Sequence, residues 1–349
     1  MAVMAHPRGL TATLTMGALA LLGARLALAR VRTMSLRGAV VLITGGSRGL
    51  GLLLAREFGR HGAHVAICAR NGGELERAQA DLDMRGVACL PLRCDVSDVT
   101  QVDAMVAQVR ERWGPIDVLV NNAGIITVGP ADTMTLADYR NAMDVNFWGV
   151  LHTTLAVLPT MRQRRAGRIV NVGSIGGKIS VPHLSPYCAS KFAVVGLSEG
   201  LRAELSRDGI LVTTVCPGLM RTGGPRNADF KGRHQAEYAW FSISDALPLI
   251  SMDAERAARR IVRACVRGDA EVILSAPAAV AARVQGLAPG LVGELLGVVN
   301  QLLPSSGGIG RAAAKGHESE SALSPSWLTR LGDTAATRHN EIGAGEPSP

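Results

Sequence analysis

The sequence predicts an α/β protein: a doubly wound parallel sheet with helices on both faces. Short apolar runs alternate with amphipathic helical patterns between residues 39 and 275. This alternation is typical of parallel strands joined by right-handed crossover helices. A glycine-rich turn also separates the first apolar run from the first helical pattern. The chain has 349 residues, 47% of them hydrophobic, which is enough for one large domain with a sizeable core.

The first strand and its turn predict a dinucleotide site. Residues 39–43 (AVVLI) form a β-branched run of the kind found in strands buried on both faces. They lead into the turn 44–51 (TGGSRGLG), and a helical pattern follows over 52–59. Glycines in such a turn let backbone N–H groups approach a pyrophosphate at the N-terminus of the helix.

The end of the second strand, 64–69, favours NADP over NAD. Units that bind NAD often place an acidic residue there, to hold the 2′-hydroxyl of the ribose. This chain has Ala69 and Arg70 instead, with Arg48 inside the glycine turn. Two guanidinium groups suit a 2′-phosphate. The alternative is that both arginines are simply solvated.

The remaining elements continue the alternation. Predicted strands cover 88–94, 116–120, 168–172, 211–215 and 270–275; helical patterns cover 99–113, 134–160, 185–204 and 254–265; and 175–185 is a loop. In open α/β sheets the ligand crevice lies outside the carboxyl ends of the strands. Ser174, just beyond one of these ends, can therefore face Tyr187 across a substrate carbonyl.

Tyr187 and Lys191 form the most suggestive pair in the chain. They are four residues apart in a predicted helix, so they lie on one helix face. A tyrosine titrates near ~10, and a nearby ammonium group lowers that pKa by stabilising the phenolate. The tyrosine then becomes usable as a general acid or base. By itself the pair is also compatible with a solvated helix face, and Ser174 with a helix cap.

Taken together, the motifs resemble the short-chain dehydrogenase/reductase family, in its standard single-domain form with a Rossmann-like fold. The resemblance covers about residues 37–272 and shows no departure at a catalytic position. The matching motifs, in order, are the turn 44–51, Asp95, Asn121-Asn-Ala-Gly124, Asn146, Ser174, Tyr187-x-x-x-Lys191, Pro217-Gly218 and Thr222.

The resemblance implies a role for each motif. Tyr187 exchanges a proton with the substrate oxygen, Ser174 hydrogen-bonds that oxygen, Lys191 lowers the tyrosine pKa and holds the nicotinamide ribose, and Asn146 holds a water that links Lys191 to solvent. The implied cofactor contacts are Gly45, Ser47, Arg48, Gly49 and Leu50 at the phosphates, Asp95 and Val96 at the adenine, Asn122, Ala123 and Gly124 at the ribose, and Pro217, Gly218 and Thr222 at the nicotinamide end.

The expected activity is therefore NADP(H)-dependent interconversion of a carbonyl and an alcohol. Segment 220–250, where the resemblance places the substrate loop, holds four of the twelve aromatic residues (five Phe, four Trp and three Tyr). This concentration predicts an apolar substrate touched by Tyr238, Trp240 and Phe241. Steroid, retinoid, fatty-acyl and polyketide-like ligands all fit, and the alternative is that the rings only anchor the loop. A dinucleotide-binding scaffold or redox sensor with little turnover is the rival function.

The termini lie outside the predicted catalytic domain, 37–276. Residues 1–36 are apolar and basic, and the uncharged run 10–24 is short beside the about 20 residues of a membrane span. A membrane anchor on a cytoplasmic enzyme is the favoured interpretation, with a signal, a transit peptide or a soluble extension as alternatives. Residues 277–304 predict an apolar helical extension. The Gly/Ser/Ala/Pro-rich residues 305–349 predict a flexible tail in which Trp327 and Leu331 dock locally.

The charge and cysteine patterns limit the kinds of partner, metal site and disulfide that the sequence predicts. The net charge is +8, but no Lys/Arg block is interleaved with aromatic residues, which argues against nucleic acid. None of the six cysteines forms a Cys-x-x-Cys pair, which favours reduced thiols over a metal site or a disulfide framework. The resemblance implies a homodimer or homotetramer.

Overall fold

A computed structural model of the chain describes residues 32–342 and Gly23. The run 10–24, predicted as an anchor, falls outside the described residues except for Gly23. The central sheet has seven parallel strands: β1 Val40–Thr44, β2 His64–Ala69, β3 Cys89–Arg93, β4 Val118–Asn121, β5 Gly167–Val172, β6 Ile210–Cys216 and β7 Glu271–Ile273. Their order across the sheet is β7-β6-β5-β4-β1-β2-β3, which confirms the predicted doubly wound fold.

Helices cover both faces of this sheet. They are α1 Gly49–Arg60, α2 Gly72–Met84, α3 Val99–Trp113, α4 Leu136–Met143, α5 Gly149–Arg164, α6 Ser185–Leu205, α7 His234–Ala246, α8 Ala254–Arg267, α9 Ala276–Leu287, α10 Pro289–Leu302 and α11 Arg330–Arg338. Successive side chains of β1 point to opposite faces. Val41 and Ile43 join a core with α1, α2 and α8, whereas Val40 and Leu42 join a core with α3 and α5.

The stretch 134–160, which reads as continuously helical, is interrupted. A π-helical turn, Asp144–Trp148, separates α4 from α5. Side-chain bonds from Asn146 to the backbone of Ile125 hold this turn. A single π turn inside a helix is frequently found at functional sites, and here it carries one of the predicted catalytic residues.

The apolar extension forms two helices, α9 and α10, as the sequence indicates. Of their residues only Ala278 and Val292 are buried, and Leu287 and Leu302 are more than four-fifths exposed. Within residues 32–342 and Gly23, no helix combines the length and apolar character needed to cross a membrane.

Residues 305–342 differ from the predicted flexible tail because they fold back onto the domain. Ala314–Lys315 pairs antiparallel with Asp229–Phe230, and α11 packs against α7. The small residues that suggest flexibility here permit close packing. A Cβ on Gly223, whose φ is +87°, would collide with the backbone of Ala336. Trp327, predicted to dock, is 84% exposed.

Candidate active site

The predicted catalytic residues converge at the carboxyl ends of β4, β5 and β6. Ser174 lies two residues beyond β5, and Tyr187 and Lys191 lie in the first turns of α6. The Ser174 hydroxyl accepts a hydrogen bond from Gly176 N at 2.9 Å, and its interaction with the Tyr187 phenol lowers the pKa of that phenol. A Cβ on Gly176 would stand 3.1 Å from the Tyr187 ring and 3.3 Å from Ser174 Oγ. Glycine at this position therefore leaves room for the two hydroxyls to meet.

Lys191 is buried next to this pair. Its Nζ donates to Val172 O at 2.9 Å and lies 5.8 Å from the centroid of the Tyr187 ring. Burial lowers the pKa of Lys191 to about 8. Burial also raises the pKa of Tyr187 to about 12, against the opposing effect of the Ser174 hydrogen bond. The net shift of the Tyr187 pKa in this structure is therefore upward, opposite to the lowering that the sequence predicts, because desolvation outweighs the contribution of Ser174.

Asn146 is connected to the same site. Its amide nitrogen donates to Ser190 Oγ at 2.9 Å, and Ser190 donates in turn to Tyr187 O at 2.7 Å. A Cβ on Gly124 would stand 3.1 Å from Asn146 Oδ1 and 3.5 Å from Lys191 Nζ. The structure therefore brings together Asn146, Ser174, Tyr187 and Lys191.

The glycine turn forms a tightly packed cradle in which Gly45 and Gly51 have no room for a side chain. Asn122, just after β4, donates from its amide to Thr44 O and Gly45 O at 3.1 and 3.0 Å. At Gly45, with φ +62°, a Cβ would stand 2.8 Å from Ala123 Cα, and at Gly51 it would stand 2.0 Å from Gly45 O. Leu50, in the first turn of α1, is buried. The close packing of the glycine turn places the N-terminus of α1 as a phosphate site requires.

The two arginines predicted to read a 2′-phosphate have different surroundings. Arg48 forms ion pairs with Glu74 at 3.1 Å and Glu341 at 3.4 Å. Glu74 also accepts from Ser47 Oγ at 2.9 Å. Arg70 is exposed at the end of β2.

The remaining predicted cofactor residues lie along the same edge of the sheet. Asp95 accepts from Ser97 N and Oγ at 3.0 and 2.7 Å, and its neighbour Val96 is buried. Beyond β6, Pro217 O accepts from Ile175 N at 2.7 Å. The segment also includes Gly218, where a Cβ would stand 2.7 Å from Ser275 Oγ, and Thr222, whose hydroxyl accepts from Gly224 N at 3.0 Å.

The aromatic residues of segment 220–250 form a cluster that reaches Tyr187. Phe230 packs edge-to-face with Tyr238 and Phe241, at centroid distances of 5.3 and 6.0 Å. Tyr238 is 2% exposed and Phe241 8%, whereas Trp240 and Tyr187 are partly exposed at the margin of the cluster. Tyr238 and Phe241 therefore anchor α7 to the core, which was the alternative interpretation. Of the three predicted substrate contacts, Trp240 is the most exposed to solvent.

Sequence reasoning missed a buried polar group beside Tyr187. His183, with φ +64°, pairs through Nδ1 with Glu237 Oε1 at 2.8 Å. Glu237 is fully buried and also accepts from Trp240 Nε1 at 2.6 Å. These contacts join the loop before α6 to α7. No motif marks them, because the partners are 54 residues apart and each alone reads as an ordinary polar residue.

We expect Glu237→Ala to lower the free energy of unfolding by about 1–3 kcal/mol, because the buried His183 ring loses its partner. It should also raise KM, since the loop carrying Tyr187 is no longer joined to α7. Urea unfolding and steady-state kinetics measure the two effects. Glu255→Ala is the matched control, because Glu255 is 54% exposed and has one ion pair at 3.6 Å. Equal stability of the two variants would contradict a structural role for Glu237.

The fold and the site define a nicotinamide-dinucleotide oxidoreductase, and comparison with known proteins supplies its family. A profile of the short chain dehydrogenase family matches residues 39–230. A putative ketoacyl reductase of Streptomyces coelicolor is 44% identical over 187 residues, which is 52% of this chain and 71% of that protein. The Anopheles gambiae dehydrogenase/reductase SDR family protein 7-like is 37% identical over 246 residues, 69% of this chain and 76% of that protein.

Solved structures agree with this assignment. An actinorhodin polyketide ketoreductase variant crystallised with NADPH superposes with a TM-score of 0.61 at 33% identity, covering 68% of this chain and 95% of that one. A gluconate 5-dehydrogenase from Burkholderia cenocepacia, in complex with NADP and tartrate, gives 0.61 at 31% identity, covering 71% and 97%. The chain belongs to the short-chain dehydrogenase/reductase family, and it is an NAD(P)-dependent oxidoreductase.

Proposed function

We propose that the protein uses NADP(H) to interconvert a carbonyl and an alcohol on a hydrophobic small molecule. The observation that carries the proposal is the placement of Ser174 and Tyr187 around Gly176, with buried Lys191 5.8 Å from the centroid of the Tyr187 ring, at the open end of the sheet. The glycine cradle supports dinucleotide binding at the adjoining strand. A scaffold or sensor would not need all of Asn146, Ser174, Tyr187 and Lys191 in one place.

The site's own residues account for the movement of the proton. The bound nicotinamide supplies or accepts the hydride. Ser174 donates a hydrogen bond to the substrate oxygen and stabilises the negative charge that develops there. Tyr187 gives its phenolic proton to that oxygen during reduction, and the Lys191 ammonium stabilises the phenolate left behind. Burial raises the pKa of Tyr187 to about 12, so the phenol carries its proton at neutral pH.

The surroundings of Tyr187 support an apolar substrate. Its ring packs against a cluster that includes Val128, Leu184 and Phe230. Relatives named as ketoacyl reductases and a mouse 3-ketodihydrosphingosine reductase support a fatty-acyl or polyketide-like carbonyl within this class. NADPH oxidation should be measured against ketoacyl, steroid, retinoid and polar sugar-acid carbonyls. Turnover of the sugar acid alone would contradict an apolar substrate.

Cofactor preference is tested at the two arginines. Replacing both Arg48 and Arg70 by alanine should weaken NADPH binding more than NADH binding, because only NADPH carries the 2′-phosphate. Each charge-assisted contact contributes roughly 1.5–3 kcal/mol. Titration of cofactor fluorescence gives both dissociation constants.

Two further variants sharpen this test. Arg70→Ala leaves the Arg48–Glu341 ion pair intact, so its effect reports Arg70 alone. Arg60→Ala, on a side chain that is 65% exposed, controls for the loss of positive charge. Equal weakening of NADPH and NADH by the double variant would mean that these arginines do not read the phosphate.

We further propose a homodimer or homotetramer that works in the cytoplasm, with residues 10–24 as a membrane contact. Leu155 on α5 and Phe192 on α6 are 55% and 43% exposed and supply apolar surface for assembly, whereas Val195, 5% exposed, does not. The six cysteines are free, which suits a reducing compartment.

A further inference from the structure

The C-terminal segment 339–341 lies directly on the glycine turn. The backbone N–H of Gly49 donates to His339 O at 2.8 Å. The Asn340 amide donates to Ser47 O at 2.8 Å and to Glu74 O at 3.0 Å. Two of the residues proposed to hold the cofactor phosphates are thus engaged by the chain's own end.

Glu341 places a carboxylate in the same position. It is 6% exposed and pairs with Arg48 at 3.4 Å. Asn227 donates to its Oε2 at 2.7 Å and to its backbone oxygen at 3.0 Å. Its Oε1 faces Gly49 so closely that any Cβ there would collide with it. The Glu341 carboxylate therefore lies against the glycine turn, at the N-terminus of α1.

The segment also reaches the other end of the proposed cofactor site. The His339 ring contacts Thr222 O at 3.2 Å, and Thr222 is a residue proposed to approach the nicotinamide. An anion at the N-terminus of a helix, beside an arginine, is the arrangement that binds a phosphate. The Glu341 carboxyl already fills that position. Burial raises its pKa to about 7, and its ionised form would repel a second anion in the same dry space.

We propose that residues 339–341 are an internal plug that must leave the glycine turn before a nicotinamide dinucleotide binds. This proposal rests on the proposed cofactor site. The docked plug lowers the apparent affinity for the cofactor, because only the undocked conformation binds it. The helix that leads into the segment, α11, has nine residues, of which only Ala335 and Ala336 are buried.

The test compares NADPH affinity in full-length variants. Asn340→Ala removes plug contacts without changing charge, and Glu341→Ala removes the carboxylate. Both should lower the NADPH dissociation constant, by roughly tenfold or more if the docked state dominates. Thr334→Ala and Thr337→Ala change exposed residues of the same helix and should match the wild type. The plug is ruled out when all five proteins bind NADPH equally.

Limited trypsin digestion separates release of the plug from a simple charge effect. NADPH should accelerate cleavage after Arg338 in the wild type, because the undocked segment is exposed to the protease. Slower cleavage with NADPH would show that the segment closes over the cofactor, and would overturn the proposal. If none of the five proteins binds NADPH, the cofactor assignment fails and the plug fails with it; equal binding by all five overturns the plug alone.

Discussion

Replacing Tyr187 by phenylalanine is expected to reduce turnover by a factor on the order of 10²–10⁴, because the ring stays and the transferable proton is lost. The phenol interacts with Ser174, and its ring centroid lies 5.8 Å from the buried Lys191 ammonium. NADPH binding should survive, since the glycine cradle is untouched. Steady-state turnover and NADPH titration measure the two quantities.

Tyr139→Phe is the matched control for this result. It removes the same atom from a partly exposed tyrosine on α4, outside the catalytic group. We expect its turnover to stay close to that of the wild type. A Tyr187→Phe protein with turnover within about tenfold of the control would exclude the phenol as the proton donor.

Replacing Asn121 by alanine should lower the free energy of unfolding by about 2–4 kcal/mol, because two buried acceptors lose their donor. The Asn121 amide donates to Asn171 Oδ1 at 2.9 Å and to Thr154 Oγ1 at 3.2 Å, and its carbonyl accepts from Thr153 at 2.6 Å. All of these groups are essentially inaccessible to solvent. Chemical denaturation measures the loss.

Asn141→Ala provides the comparison, since Asn141 is exposed on α4 and its loss should change stability by at most about 0.5 kcal/mol. If Asn121→Ala proved as stable as this variant, the buried network between β4, α5 and β5 would not contribute to stability. Activity assays on the same samples separate folding from catalysis.

The sheet could be predicted because its information is local. The run 39–43 is apolar at every position, and all five of its residues are buried. Helix α3 has the predicted limits, 99–113, because Asp98 caps its first N–H groups and Gly114, at φ +88°, ends it. Ser174, Tyr187 and Lys191 could be proposed for the same reason, since each follows a strand end or lies on one helix face, whereas Asn146 was proposed from the family resemblance.

The features that escaped prediction depend on contacts between distant residues. The π turn needs Asn146 to bond the backbone of Ile125, 21 positions earlier. Asn340 reaches Ser47 across 293 positions, and a Gly/Ala-rich composition carries no sign of that contact. The raised pKa of Tyr187 follows from burial, which spacing along a helix cannot show. In each case the feature depends on residues that are distant in the sequence, which a local sequence pattern does not show.

The position of β1 at the centre of the sheet affects how the chain folds. Its partner β2 begins 24 residues further on, but its other partner is reached only through pairs such as Val41 with Val118. Parallel pairings across such separations slow folding, because the loop must close before the contacts form. During synthesis the edge of β1 that pairs with β4 therefore stays unpaired until β4 has been synthesised, and an unpaired strand edge is prone to aggregation.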